Sequence, residues 1–342
     1  MSLAVVDQIA KAVLYEGYML YPYRPSAVKN QQRWNFGVLY PRAYSEAQKG
    51  TDAWMMQTEV LVQGTIATQL DVKIRFLQLV NRSLGRLRTV VGELTEAGAQ
   101  EFDAVPTLAV DDRILQPWQE AIEREVSLPA LSIEQTSSQP FEHSFSFPPE
   151  KSFEEVRNLN GNVVGVIIRQ RATLNGAVEV SVTHVEDDVF KVRVIVRNLA
   201  TDEGTSGTRE TAVTKAMCST HTVLIASAGE FLSAIDPPEA VRHYAAGCRN
   251  IATFPVLVGQ QGQRDTFLSS PIILYDYPQI APESSGDLFD GTEIDEILSL
   301  RIMAQVVKPA VVSSKDSLRH CCFPPPRNRS ATPHTSSWAD RR

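Results

Sequence analysis

The feature that most constrains this chain is a two-residue alternation of apolar and polar side chains in residues 178–183 and 190–197. Valine or phenylalanine occupies every second position of both runs, and polar or charged residues stand between them, except at Ile195. Successive side chains of a β-strand point to opposite faces, so this period predicts two strands with one buried and one wet face. Asp187-Asp188 and Asn175-Gly176 flank the runs as turn residues. The pattern predicts antiparallel hairpins in the wall of a sandwich or barrel.

Other patterns along the chain predict further elements. Apolar or alternating runs predict strands in residues 54–62, 71–80, 163–168, 254–258 and 272–274. Helical spacing predicts a first helix around residues 5–13 and another in 118–126. Residues 127–153 are typical of a strand or extended arm, and residues 216–226 fit a helix end or a strand. Asp236 precedes two prolines as the cap of a short helix, and an acidic first turn predicts a helix from Thr292.

These elements predict a β-rich α+β protein, with an antiparallel β-sandwich-like body at residues 154–235. Six of the nine tyrosines lie between residues 15 and 44, and residues 45–243 contain none. We therefore expect residues 1–62 and 236–302 to form one Tyr-rich body built from both chain termini. Residues 63–153 would hold mixed strands, a helix and the extended arm.

The last forty residues differ in composition from the rest of the chain. They hold seven Lys or Arg against two Asp, so residues 1–302 keep 33 − 7 = 26 basic and 40 − 2 = 38 acidic groups. Pro, Ser, Thr and Arg dominate without periodicity, and this composition predicts a disordered basic tail at residues 303–342.

Charge and composition narrow the classes of partner. The formal net charge is −7 and the pI is near 5.5, which argues against nucleic acid, because binding it needs a basic face. Charged residues interrupt the apolar N-terminus, so we expect no signal peptide, no membrane insertion and a cytoplasmic location. The four cysteines lack CxxC spacing, which predicts no disulfide framework, no metal site and no cofactor. Whether Cys218, His221 and Cys248 approach one another stays open.

Candidate binding residues concentrate where rings and charges are dense, because Tyr, Trp and Arg are the side chains that interfaces favour. The candidates are Tyr18, Tyr21, Tyr23, Arg24, Lys29, Arg33, Trp34, Arg249, Asn250, Asp276, Tyr277, Asp290 and Glu293. Tyrosines that fill a core rim are the alternative reading of the aromatic stretch. We find no nucleophile elbow, phosphate loop or paired metal ligands, and therefore assign no catalytic residue.

Two segments carry a family resemblance. YEGYMLYPYRPSAVKNQQRWNFGVLYP (residues 15–41) and LSSPIILYDYPQIAPESSGDLFDGTEIDEILSLRI (residues 268–302) resemble an uncharacterised family of bacterial proteins encoded beside uptake nickel-iron hydrogenase genes. The resemblance implies a cytoplasmic accessory to hydrogenase assembly, electron transfer or regulation, and it implies no activity. The basic tail departs from that family after Ile302, as a divergent or frameshifted end.

Two functions of different classes follow from these observations. The first is a non-catalytic accessory or scaffold protein that binds a protein partner, with a hydrogenase subunit or maturation factor as the candidate. The second is an enzyme or small-ligand binder that uses a charged cleft of tyrosines, arginines and carboxylates. A flat aromatic patch would favour the first function, and a deep charged pocket would favour the second.

Overall fold

The computed structural model describes residues 2–15, 37–49, 51–94, 101–201 and 208–279. Its helices are α1 (Ser2–Tyr15), α2 (Arg42–Ala47), α3 (Ile133–Ser138), α4 (Arg209–Val213) and α5 (Arg242–Ala246), with a 3-10 turn at Glu239–Val241. Its strands are β1 (Met55–Val91), β2 (Phe102–Val105), β3 (Leu108–Val110), β4 (Arg113–Leu115), β5 (Trp118–Ser127), β6 (Leu131–Ser132), β7 (Phe141–Phe147), β8 (Glu150–Arg157), β9 (Val163–Arg171), β10 (Leu174–Glu186), β11 (Val189–Asn198), β12 (Cys218–Phe231), β13 (Phe254–Leu257) and β14 (Thr266–Ser270).

One antiparallel sheet contains all of these strands except the small β3–β4 hairpin. Its main path runs β13-β14-β12-β1-β11-β10-β7, and β2, β5, β6 and β9 also pair with β1, while β8 pairs with β9. The strand β1 is the axis of the sheet, because its 37 residues pair with six other strands in succession. The described part of the chain is therefore mostly β with minor helix, as the sequence predicted. The sandwich-like arrangement stays a prediction.

The two-residue alternation of residues 178–183 and 190–197 corresponds to the two faces of β10 and β11. Val192 lies opposite Val60 on β1 and opposite Val182 on β10, and all three side chains are buried. They belong to the main hydrophobic cluster, which also holds Phe76 and Phe267. The intervening positions point to the other face, where Glu59, Arg193 and Ser181 lie in register. The two-residue period therefore placed both faces correctly.

Several predicted elements agree with the structure and others do not. Helix α1, the strands at 163–168 and 254–258, and the Asp187-Asp188 turn are present. The strands predicted at 54–62 and 71–80 are parts of the single strand β1, and residues 218–226 of the segment 216–226 lie in β12. Asn175 and Gly176 lie inside β10, so they are not a turn. The strand expected at 272–274 ends earlier, at Ser270. Pro238 rather than Asp236 precedes the 3-10 turn.

The predicted helix at residues 118–126 is wrong, because this segment is the strand β5. It pairs with residues Lys73 to Arg82 of β1, and the register places Glu125 opposite Arg75. The Arg75 guanidinium lies 3.5 Å from the Glu125 carboxylate and 3.6 Å from that of Glu123. Glu, Ala and Gln favour helix locally, but pairing with β1 and these cross-strand charges stabilise the strand.

An ion-pair ladder crosses the neighbouring part of the sheet. The Glu120 carboxylate on β5 lies 3.7 Å from the Arg82 guanidinium of β1 and 2.7 Å from that of Arg169 on β9. Arg169 also pairs with Glu154 on β8. The Arg82 side chain is only 3% exposed, so its charge depends on partners within the protein. The ladder links four strands on one face.

None of the helices in the described ranges combines the length and apolar character needed to span a bilayer. The domain boundaries proposed from the sequence stay predictions. The predicted helix after Thr292 and the basic tail lie outside the described residues.

Candidate functional site

Four of the thirteen candidate binding residues lie in the described part of the chain: Arg249, Asn250, Asp276 and Tyr277. The other nine lie outside it: Tyr18, Tyr21, Tyr23, Arg24, Lys29, Arg33, Trp34, Asp290 and Glu293. The structure divides the four described residues between two places, the Glu59 side chain on β1 and a segment that follows β14.

The loop after α5 wraps around Glu59. The Arg249 N–H donates to the Glu59 carboxylate at 2.8 Å, and the Glu59 N–H donates to the Asn250 side-chain oxygen at 2.8 Å. Gln57 donates from its side chain to the Arg249 carbonyl at 3.0 Å. Because Glu59 is only 8% exposed, these bonds compensate the desolvation of its carboxylate. Arg249 and Asn250 thus fix the loop to β1, and Arg249 does so through its backbone.

A cleft of about 270 Å³ opens beside Glu59. Its lining comes from β1, β10, β11 and the region of α3: Glu59, Thr136, Ser137, Pro140, Ser181, Val182, Thr183, Lys191 and Arg193. The Lys191 ammonium lies 3.8 Å from the Glu59 carboxylate, and Arg193 donates to the Ser181 hydroxyl at 3.1 Å and pairs with Glu179 at 3.2 Å. The cleft therefore offers two cations that already have partners, surrounded by hydroxyl groups. Such a surface suits a small polar anion.

Asp276 fastens residues 271–277, which we call the strap, to the sheet. Its carboxylate accepts the Leu257 N–H at 2.8 Å and the Ser233 hydroxyl at 2.6 Å. The Tyr277 N–H donates to the Leu257 carbonyl at 2.7 Å. The Tyr277 backbone has φ of 58°, which a non-glycine residue adopts only when its surroundings hold it there. Asp276 and Tyr277 are thus anchors of the strap, and the Tyr277 ring packs against the main core.

The strap alternates partly buried and exposed side chains from Ile272 to Tyr275, although it is not a regular strand. Ile272 and Leu274 pack on a cluster that contains Ile9 and Leu268. Ile273 and Tyr275 point away and are 76% and 82% exposed. Two large apolar side chains on a segment fixed at both ends form a ready contact surface. Sequence reasoning missed Ile273 and Tyr275, because a continuous run of four apolar residues does not show which of them pack on the protein.

The start of the strap rests on the segment that precedes α2. Gly37 has φ of 54°, and Pro271 packs directly over its Cα. The Gly37 carbonyl also accepts the Thr220 N–H of β12 at 2.9 Å. The two sequence segments that carry the family resemblance therefore contact each other at Gly37 and Pro271. The proposal that both termini build one body is a broader statement and stays a prediction.

Cys218 and Cys248 lie in different surroundings. Burial raises the pKa of the Cys218 thiol to about 12, in a cluster with Leu14 and Tyr40. The Cys248 thiol lies beside a separate cluster. Burial, and to a lesser extent the charge of Glu59, raises its pKa to about 11. Both thiols are thus protonated and weakly nucleophilic at neutral pH. Among the described residues, no group of three or more His, Cys, Asp or Glu side chains is arranged to hold a metal ion.

No protein-family model matches the chain, and the comparison with curated proteins found no match.

Proposed function

We propose that this protein is a non-catalytic accessory or scaffold protein that binds a protein partner. The sequence resemblance supports a link to nickel-iron hydrogenase assembly or function, in the cytoplasm. A hydrogenase subunit or a maturation factor is the partner that this setting suggests.

The observation that carries the proposal is the exposure of Ile273 and Tyr275 on an anchored strap. A contact surface that is already ordered loses little conformational entropy on binding. Tyrosine is favoured at interfaces because a rigid ring supplies a large contact area and its hydroxyl can hydrogen-bond. The strap also lies within residues 268–302, one of the two segments that resemble the hydrogenase-associated family.

The chemistry of the described carboxylates supports binding rather than catalysis. Glu59 and Asp276 each accept backbone N–H groups, so their oxygens are occupied by structural hydrogen bonds. A general base needs a carboxylate that faces substrate. Both groups instead hold loops against the sheet.

The test is affinity capture of the tagged full-length protein from hydrogen-grown cells of its own host, compared with a double variant, Ile273→Ser with Tyr275→Ser. We expect the wild type to retain a hydrogenase subunit or maturation factor in stoichiometric amount, and the double variant to lose it. Leu159→Ser is the matched control, because Leu159 is 88% exposed at a turn between β8 and β9. Loss of the partner from the control as well, or its retention by the double variant, would show that the strap is not the binding surface.

A small-ligand binder is the second candidate function, and the cleft beside Glu59 is the observation that favours it. Lys191 and Arg193 would bind the anionic group of the ligand, with Ser181 and Thr183 as hydroxyl partners. The probe is a set of small carboxylates and phosphates in a thermal-shift assay. The control is Lys151→Met, which removes a lysine of β8. A rise in Tm that disappears in Lys191→Met and persists in the control would support this function over the first. No shift with any probe would argue against it.

A further inference from the structure

The strand β7 ends the sheet with an open edge. All seven of its residues pair with β10 without a register shift, and among the described residues no other strand pairs with it. Phe141, Phe145 and Phe147 pack toward the main core, whereas Glu142 and Ser144 are exposed. An edge strand presents a row of backbone N–H and C=O groups that can pair with another strand. β7 is thus a template for strand addition.

β13, the strand at the other end of the main sheet path, is better protected against strand addition than β7. β13 has four residues, and one of them, Pro255, has no N–H to donate. Asp276 accepts the Leu257 N–H of β13, and Leu257 in turn accepts the Tyr277 N–H. β7 contains neither proline nor lysine and has no bulge, three features that usually protect an edge, and Glu142 is its one carboxylate.

We propose that β7 pairs antiparallel with β7 of a second copy of this chain. The register that overlaps all seven residues is centred on Ser144, and it places Glu142 opposite Ser146 of the second copy. The aromatic side chains then fall in pairs, Phe141 with Phe147 and His143 with Phe145. No like charges face each other, and cross-strand aromatic pairs are stabilising. The edge is therefore complementary to itself, as a two-fold interface requires.

The surroundings of β7 leave room for a second strand. A cleft of about 550 Å³ lies at its N-terminal end, and its lining consists of Pro129, Ala130, Leu131, Gln135, Gln139, Pro140, Phe141 and Glu142. In the register centred on Ser144, the two residues after Phe147 in the second copy, Pro148 and Pro149, lie opposite Pro140 and Gln139. The cleft would thus accept the prolines that end the incoming strand, against the apolar part of its lining, which includes Pro129, Leu131 and Pro140.

This dimer is independent of the function proposed for the strap, because the strap lies against β13 and β7 is at the other end of the strand order. Seven paired residues per copy form a small interface, so we expect a reversible dimer with a Kd of about 10 µM.

The experiment measures the mass of the full-length protein by sedimentation over a range of concentrations. The wild type should change from monomer to dimer. In Ser144→Lys or in Ser144→Glu, like charges would face each other across the two-fold axis, and dimerisation should weaken about five-fold or more. An equimolar mixture of the two variants should recover the dimer, since opposite charges then meet. Ser152→Lys is the matched control on the exposed strand β8 and should dimerise as the wild type does.

Several outcomes would overturn the proposal. A wild type that stays monomeric at about 100 µM, ten times the expected Kd, excludes the pairing. So does a dimer that persists in both charged variants, because another surface then forms it. Slow hydrogen exchange along β7 in a monomer would show that the chain itself covers the edge. Loss of a captured foreign partner in Ser144→Lys, with a monomeric wild type, would assign the edge to that partner.

Discussion

A Cβ atom at Gly37 would lie 2.5 Å from the Cγ of Pro271, a separation that non-bonded carbon atoms do not reach. Glycine is thus required at this position for two reasons, the close approach of the Pro271 ring and the positive φ of 54°. The contact joins two segments more than 230 residues apart in the chain, and it fixes the beginning of the strap.

Substituting Gly37 should therefore lower the free energy of unfolding more than substituting a positive-φ glycine that has open space around it. We expect Gly37→Ala to lower the free energy of unfolding by about 3 kcal/mol, from backbone strain and from displacement of the proline ring. Gly161→Ala is the control, because Gly161 also has positive φ but has open space around it, and about 1 kcal/mol is expected there. Urea unfolding of both variants measures the difference. Equal losses of unfolding free energy in the two variants would show that the contact with Pro271 does not affect stability.

Removing the Asp276 carboxylate should release the strap. Asp276→Ala leaves the Leu257 N–H and the Ser233 hydroxyl without their acceptor, so we expect a loss of about 2 kcal/mol in stability. Hydrogen exchange should accelerate at the Leu257 and Tyr277 amides. Asp103→Ala removes an exposed carboxylate paired with Arg88 and should leave both properties close to wild type. Unchanged exchange at Leu257 in Asp276→Ala would contradict the anchoring role.

Stability should depend on pH through His221. Burial lowers the pKa of His221 to about 4, the charge of Arg75 acts in the same direction, and the Ser219 carbonyl partly opposes them. The unfolded chain, with an ordinary histidine pKa near 6.5, then binds more protons than the folded chain between pH 6.5 and 4. Stability is therefore retained above pH 6.5 and falls as the pH is lowered through this window, by about 3 kcal/mol in total.

The measurement is urea unfolding at several pH values between 7 and 5, where most carboxylates stay ionised. The wild type should lose stability across this range, whereas His221→Gln, which has no titrating ring, should show a flatter profile whatever its stability at pH 7. His243→Gln is the control, because His243 is exposed and should leave the slope unchanged. Identical slopes in all three proteins would mean that His221 does not control the pH dependence.

The ion-pair ladder should depend on Glu120. Glu120→Ala removes the carboxylate that Arg82 and Arg169 share, and Arg82 is almost completely buried. We expect a loss of about 3 kcal/mol, because a buried guanidinium loses a charged partner. Glu239→Ala, which breaks an exposed pair with Arg242, should change stability little. Thermal unfolding compares the stability of the two variants. A stability loss below about 1 kcal/mol for Glu120→Ala would show that the ladder contributes no more than an exposed surface ion pair.

The sequence predicted elements best where their two faces differ most. β10 and β11 have one buried and one wet face, so the two-residue period identified them and the turn at Asp187-Asp188. α1 was predicted in the same way, from apolar residues at helical spacing. β5 has no such contrast, since most of its side chains are half-buried, and helix-favouring residues led to the wrong prediction.

Arg249, Asn250, Asp276 and Tyr277 were predicted as binding residues, and that role stays a prediction. Their described hydrogen bonds hold loops to strands. Ile273 and Tyr275 were missed, because exposure depends on what packs beside a residue. The strap packs Ile272 and Leu274 on the cluster around Leu268, which α1, β12, β13 and β14 supply, and this packing leaves Ile273 and Tyr275 exposed.

The amino-acid sequence by itself determined the β-rich class, the faces of the strongly alternating strands and the acidic character of the chain, because these properties depend on neighbouring residues and composition. Only the tertiary structure decided that one 37-residue strand serves as the axis of the sheet, that Pro271 meets Gly37, and that β7 is left as an edge. Strand pairing joins residues far apart in the chain, and the alternation within a strand records which face is buried but not which strand lies beside it.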